Sequence, residues 1–168
     1  MNTRHQSGFS LIELLIALGI VGLLASLAYP AFTASVAKGK RAEARVALAE
    51  LLQQQERYMT QRNCYVRFSS NTATGATTPL ANVPNTVCGG GTPASAPFKG
   101  FSSDSINNAA YILSADNCLD GAGAAISIAE CVLLTATPRK PDPDVGSLTL
   151  TSTGTKSCTG TKPLLCWK

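Results

Sequence analysis

Residues 8–13 read GFSLIE and open an apolar run that extends to Tyr29. The 21 residues from Phe9 to Tyr29 carry one formal charge, which is on Glu13. A helix of this length rises about 1.5 Å per residue and can cross a hydrocarbon core of roughly 30 Å. An ionisable side chain in such a segment costs free energy, so we interpret Glu13 as a functional residue.

Glu13 lies about one helical turn beyond Phe9, near the start of the apolar segment. If the chain is cut between Gly8 and Phe9, the new α-ammonium group of Phe9 and the Glu13 carboxylate are the only charges in that segment. Within one subunit both groups lie on the same turn and meet poorly. A neighbouring helix shifted along its axis would bring its ammonium group to this carboxylate, and the pair would set the register of assembly.

These residues, with the basic leader residue Arg4 and the sequence AYP at residues 28–30, resemble the class III signal of type IV pilins and pseudopilins. The resemblance implies that a prepilin peptidase cleaves after Gly8 and methylates the new amine of Phe9, and that Glu13 is needed for filament assembly. An ordinary secretory signal cleaved after SLA at residues 26–28 and a plain membrane anchor are less favoured, because neither explains these three residues.

The cysteines and the charges indicate where the rest of the chain resides. All six cysteines follow the apolar run, which favours disulfides formed in an oxidising compartment, and about 140 residues remain for one domain. The basic cluster Lys38, Lys40 and Arg41 conflicts with the positive-inside rule. We give priority to the cysteines and the leader and predict a periplasmic C-terminal domain.

A second pattern predicts that the helix continues beyond the membrane to about residue 62. Its apolar stripe consists of Ala44, Leu48, Leu51, Leu52 and Met59. Strands are predicted at 110–114, 125–137 and 147–152, with turn signals at 120–121 and 141–144. We expect an α+β type IV pilin fold, in which the outer, amphipathic half of a long N-terminal helix packs on a C-terminal antiparallel β-sheet.

The predicted segments are a leader at 1–8, a transmembrane and assembly half-helix at 9–29, an amphipathic half-helix at 30–62, and a globular region at 63–168. Within that region, residues 69–105 are mostly small and polar, so we predict a connecting loop tied by a disulfide. The chain also resembles PilE-type minor pilins, because weaker downstream matches occur in the order found in that group. They include RAEA at 41–44, LTL at 148–150 and the final CW at 166–167.

Six cysteines allow 15 connectivities, and the sequence does not choose among them. We favour nearest-neighbour pairs, which are Cys64 with Cys88, Cys118 with Cys131, and Cys158 with Cys166. A zinc site is disfavoured, because no CxxC spacing occurs and the sole histidine is His5 in the leader. Calcium at Asp142 and Asp144 is also disfavoured, because calcium takes six or more oxygen ligands. We therefore predict no metal and no cofactor.

The sequence favours a structural subunit over an enzyme, since the chain beyond the leader has no histidine for a Ser-His-Asp or Cys-His site. The resemblance implies partners: major and minor pilin subunits, prepilin peptidase, the inner-membrane assembly platform and the inner membrane. It also implies an extracellular pilus that serves adhesion or twitching motility. A type II secretion pseudopilin is one alternative. Another is a DNA-binding minor pilin for natural transformation, motivated by the late basic residues Arg139, Lys140, Lys156, Lys162 and Lys168.

Net charge alone does not indicate nucleic acid. The full chain has a formal charge of +4, and removal of residues 1–8 takes away Arg4 and leaves +3. Few aromatic residues lie among the late basic residues to stack on bases, so a scattered, solvated set of charges is the favoured interpretation. Nucleic acid therefore stays the less favoured partner.

Overall fold

The computed structural model describes residues 10–168, which form two compact units, one ending at Gly39 and one spanning Lys40–Lys168. Helix α1, Leu11–Arg62, contributes residues to both units. The continuous helix that the sequence predicts is therefore confirmed within the described residues, and it ends at Arg62. The predicted start at Phe9 lies outside the described residues.

In the first unit, α1 exposes every side chain from Leu11 to Val36. By length and composition, this helix is apolar enough to cross a membrane. Leucine, isoleucine and valine side chains cover most of its surface, and Leu11 is 77% exposed. Exposed apolar surface of this extent is unfavourable in water and requires lipid or other apolar helices around it.

The second unit contains one antiparallel sheet of six strands in the order β2-β1-β3-β4-β5-β6. The two long central strands are paired along their whole length, from Tyr111 opposite Pro138 to Asn117 opposite Val132. The strand bounds are β1 Phe68–Ser70, β2 Thr77–Pro79, β3 Tyr111–Asn117, β4 Val132–Pro138, β5 Leu148–Thr151 and β6 Lys156–Cys158. A 3-10 turn, Pro163–Leu165, follows the last strand.

One face of α1 and the inner face of the sheet form a single hydrophobic core in the second unit. Ala44, Leu48 and Leu51 are buried as the apolar stripe predicts, whereas Leu52 and Met59 are only partly buried. On the sheet side, Leu134 and Leu148 are fully buried. Burial of one such leucine stabilises the fold by about 1.5–3 kcal/mol. The predicted α+β pilin-like architecture is confirmed.

The structure corrects two of the predicted strands. The segment 125–137 is extended only from Val132, because the residues before it form the turn that leads to Cys131. In an earlier turn at 120–124, Asp120 accepts hydrogen bonds from the amides of Ala122 (2.9 Å) and Ala124 (2.8 Å), and Leu119 makes an isolated bridge to Ala125. The segment 110–114 extends further than predicted, to Asn117, where it pairs with β4.

The structure also corrects the loop predicted at 69–105, which contains regular structure. Most of β1 and all of β2 lie within it and form a hairpin at the edge of the sheet. Later in the segment, the buried Phe98 ring stacks on Phe68 at a centroid distance of 5.6 Å. The Thr77 hydroxyl also donates to the Ala96 carbonyl at 3.0 Å, so this segment packs onto the sheet at several points.

In the structure the six cysteines form three disulfides, with the partners that the nearest-neighbour order gives. The Cα–Cα distances are 5.7 Å for Cys64–Cys88, 5.5 Å for Cys118–Cys131 and 6.2 Å for Cys158–Cys166. The second disulfide links β3 to β4 across their connecting turn, and the third links β6 to the 3-10 turn.

Candidate functional site

The first candidate site is the beginning of α1. The Ser10 carbonyl accepts hydrogen bonds from the amides of Glu13 at 3.1 Å and Leu14 at 3.2 Å. The Glu13 carboxylate in turn accepts from the Ser10 amide, at a long 3.5 Å. This contact is the glutamate half of a capping box. The Ser-x-x-Glu spacing at residues 10–13 is the sequence signature of that motif, and it was not identified from the sequence.

Glu13 is the only charged residue between Ser10 and Ala37. Its bond to the Ser10 amide is at the limit of hydrogen-bond distance, so the carboxylate keeps capacity for a stronger donor. The first turn of a helix also favours a negative charge. The site can therefore accept a cation from outside the subunit. Gly8 and Phe9 lie outside the described residues, so cleavage and N-methylation at these positions stay predictions.

The second candidate site is the set of late basic residues, which the fold divides. On the edge strand β6, Lys156 pairs with Leu150 and lies level with Leu134 of β4. Arg139 follows the other end of β4, five residues from Leu134, or about 16 Å along a strand. Of the five late basic residues, Lys162 forms an ion pair with Asp144 at 2.9 Å within the part of the chain that the structure describes. These residues do not form one compact patch.

The same edge of the sheet does place a cation beside an aromatic ring. The Lys156 ammonium lies 5.3 Å from the centroid of the Trp167 ring. The indole N–H of Trp167 donates to the Ser157 carbonyl at 3.0 Å, which holds the ring against β6. The sequence shows few aromatic residues among these charges and does not pair Trp167 with Lys156, because the two meet only where the chain turn at Pro163–Leu165 brings Trp167 back to the strand.

Arg41 and two aspartates join α1 to the β4–β5 loop. The Arg41 guanidinium donates to both oxygens of Asp142 at 2.8 Å and lies 3.7 Å from Asp144. The hydrogen bonds from Arg41 lower the pKa of Asp142 and raise that of Arg41. Because the guanidinium and Lys162 engage these aspartates, the structure gives no support to calcium there, and the described residues contain no cluster of three metal-binding side chains.

An exposed apolar helix with one carboxylate in its first turn, continuing into a face that packs on an antiparallel sheet, defines the class of type IV pilins. Two family models agree with this class. The prokaryotic N-terminal methylation motif matches residues 3–29, and the type IV minor pilin ComP, DNA uptake sequence receptor, matches residues 30–159. Since the second match covers more than half of the chain, the chain belongs to the ComP family of type IV minor pilins.

A comparison with curated proteins finds similarity to the type IV major pilin protein PilA of Myxococcus xanthus (strain DK1622). The two chains are 36% identical over 69 residues, which is 41% of this chain and 31% of the relative. The match thus spans less than a third of that protein's length. No solved structure matches the chain significantly. The prediction of a type IV minor pilin is confirmed by these comparisons.

Proposed function

We propose that this protein is a structural minor pilin, cleaved after Gly8, N-methylated at Phe9 and incorporated into a type IV pilus through the apolar half of α1. Before assembly it resides in the inner membrane, with its disulfide-bearing unit in the periplasm. In the extracellular pilus it supports assembly, adhesion or twitching motility. It performs no chemistry itself. Its partners are other pilin subunits, prepilin peptidase and the assembly platform.

The observation that carries this proposal is the weakly satisfied Glu13 carboxylate on the otherwise uncharged and exposed part of α1, from Leu11 to Val36. The α-ammonium group of a neighbouring subunit offers it a charge-assisted hydrogen bond, which is stronger than the 3.5 Å contact with the Ser10 amide. At about 4 Å and an effective dielectric constant near 20, two unit charges attract by about 4 kcal/mol. The pair therefore favours one axial register between adjacent helices.

Replacement of Glu13 by alanine tests this role. We expect Glu13→Ala to leave cleavage and membrane residence intact but to remove the subunit from sheared pili, as measured by immunoblots of the membrane and pilus fractions. Glu50→Ala is the matched control, because Glu50 is an exposed glutamate on the outer half of α1 and should not change incorporation. Recovery of Glu13→Ala in pili at the wild-type level would contradict the proposal.

A second candidate function is DNA binding during uptake. The matched family is described as a DNA uptake sequence receptor, and the Lys156–Trp167 pair gives this chain a cation and an aromatic face on one edge strand. Such a pair can contact a phosphate through the ammonium group and a base or sugar through the ring. The pseudopilin alternative receives no comparable support, since the family match is to a minor pilin.

A gel shift with double-stranded DNA, at low and moderate salt, tests this second function on the full chain in detergent. We expect Lys156→Gln to weaken binding and to reduce the slope of log affinity against log salt by about one. Lys99→Gln is the matched control, because Lys99 also lies 5.3 Å from an aromatic ring, that of Phe101. Equal loss in both variants would indicate nonspecific attraction, and no shift in the wild-type protein would exclude DNA.

A further inference from the structure

A cleft opens beside the last turns of α1, and neither the pilin role nor the basic residues account for it. Its volume is about 600 Å³, within the range of roughly 300–1,000 Å³ found for small-molecule sites. The walls come from the helix end, from residues 64–66 and from the segment 88–97. The lining residues include Tyr58, Arg62, Asn82, Gly89, Gly90 and Ser95.

Asn82 lines this cleft and carries a hydrogen-bond acceptor that has no partner. The residue is 3% exposed, and its side-chain oxygen is buried without a hydrogen-bond partner. Its backbone amide donates to the Gly91 carbonyl at 2.9 Å, which fixes the residue against the glycine-rich segment. A buried acceptor without a partner lowers stability, and native proteins have few of them. A ligand hydroxyl or N–H donor would satisfy it.

Two further groups define what the ligand must carry. Arg62 is exposed at the helix end, and within residues 10–168 no carboxylate lies within 4.0 Å of its guanidinium group. A carboxylate is the planar anion that a guanidinium group binds through two parallel hydrogen bonds. Tyr58, held edge-on against Phe98 at a centroid distance of 6.1 Å, supplies an aromatic surface.

We propose that this cleft binds an acidic saccharide. The sugar carboxylate pairs with Arg62, a hydroxyl donates to the Asn82 side-chain oxygen, and the C–H face of the ring lies on Tyr58. The backbone groups of Gly89 and Gly90 and the hydroxyl of Ser95 give the cleft a mostly polar lining, which suits a ligand with several hydroxyls better than a flat base. The disulfide between Cys64 and Cys88 holds the two sides together.

Saturation-transfer NMR of the full chain in detergent micelles tests the proposal, with D-glucuronate and D-galacturonate as probes and D-glucose and dAMP as comparisons. We expect saturation of at least one uronate at about 10 mM, with dissociation constants at least roughly tenfold higher for glucose. No saturation of either uronate would overturn the proposal. Binding of dAMP more tightly than both uronates would do so as well.

Two variants locate the binding. Arg62→Gln should raise the uronate dissociation constant roughly tenfold, the loss of one charge-assisted pair. Arg57→Gln is the matched control, since Arg57 is an exposed arginine of the same helix that does not line the cleft. Asn82→Leu, which has a similar volume, should also weaken binding by roughly tenfold. Wild-type affinity in Arg62→Gln, or an equal loss in Arg57→Gln, would overturn the assignment.

Discussion

At the scale of single residues, Gln55 is the most deeply buried polar side chain in the described part of the chain. It is fully buried on α1, and its amide donates to the Val66 carbonyl at 2.8 Å and accepts from the Val66 amide at 3.0 Å. The side chain thus satisfies a buried backbone unit that has no strand beside it. Gln55 lies on the same buried helix face as Leu48 and Leu51. A search for apolar residues at helical spacing does not find it, because glutamine is polar.

Removal of these two hydrogen bonds should be costly. Gln55→Leu keeps the volume but leaves the amide and carbonyl of Val66 buried without partners, so we expect it to lower the free energy of unfolding by about 2 kcal/mol or more. Gln53→Leu, at an exposed position of the same helix, should change it by no more than about 0.5 kcal/mol. Equilibrium urea unfolding measures both, and equal values would show that Val66 finds other partners.

At the scale of elements, the sequence predicted the two long central strands better than the three-residue strands. Residues 111–115 and 132–137 are apolar either at every position or at every second position, because the helix covers both strands. This pattern predicts strands from the sequence. The short strands β1, β2 and β6 have three residues each and are mostly Ser, Thr and Lys. They are extended because neighbouring strands offer hydrogen-bond partners, which local composition does not reveal.

The contact between α1 and the β4–β5 loop predicts a pH dependence. The hydrogen bonds from Arg41 hold the pKa of Asp142 below the value of about 3.9 that an unfolded aspartate has. The ionised carboxylate therefore stabilises the fold above that pH, and this contribution is lost as the pH falls through the folded-state pKa.

We expect Asp142→Asn to lower the free energy of unfolding near pH 7 by about 1.5–3 kcal/mol, as for other hydrogen bonds between charged groups. The difference from the wild-type protein should shrink as the pH falls below about 3.9, where the aspartate of the unfolded chain takes up a proton before that of the folded protein does. Asp104→Asn serves as the control at an exposed aspartate. Denaturant unfolding at several pH values measures this, and a difference that does not vary with pH would contradict the ion-pair account.

At the scale of the whole molecule, the two candidate sites differ in how far the sequence reveals them. The sequence alone identifies Glu13 as a candidate site, because a single charge within an apolar run of 21 residues is energetically unfavourable in a membrane and indicates a function. The cleft at Asn82 is not visible, because it forms only where the chain folds the stretch 82–97 back against the stretch 58–66. Asn82 resembles any polar loop residue until the surrounding backbone buries it.

The disulfides constrain the second unit as a whole, and their pairing is directly testable. Non-reducing peptide mapping of the exported protein should yield Cys64–Cys88, Cys118–Cys131 and Cys158–Cys166. The intervening separations are 24, 13 and 8 residues, so loss of the first pair should destabilise most, within the usual range of about 2–4 kcal/mol. Serine replacement of each cysteine pair, followed by thermal unfolding, measures the order of the three losses in stability. In the peptide map, a disulfide between cysteines of two different predicted pairs would contradict the pairing.

The division into two units predicts that the second folds without the first. Every side chain that is buried in the described part of the chain lies at or beyond Ala44, and all six cysteines lie beyond it too. Removal of residues 1–39 therefore takes nothing from the core. We expect the fragment 40–168, exported to an oxidising compartment, to unfold cooperatively, with a thermal midpoint within a few degrees of that of the full chain in detergent.

The fragment 52–168 is the matched control, because it also lacks Ala44, Leu48 and Leu51. Each buried leucine contributes about 1.5–3 kcal/mol, and the whole domain is stabilised by about 5–15 kcal/mol. We expect this shorter fragment to show no cooperative transition by circular dichroism. If it melts like the fragment 40–168, the helix face is not part of the core. If the fragment 40–168 fails to fold, the apolar half of α1 stabilises the second unit.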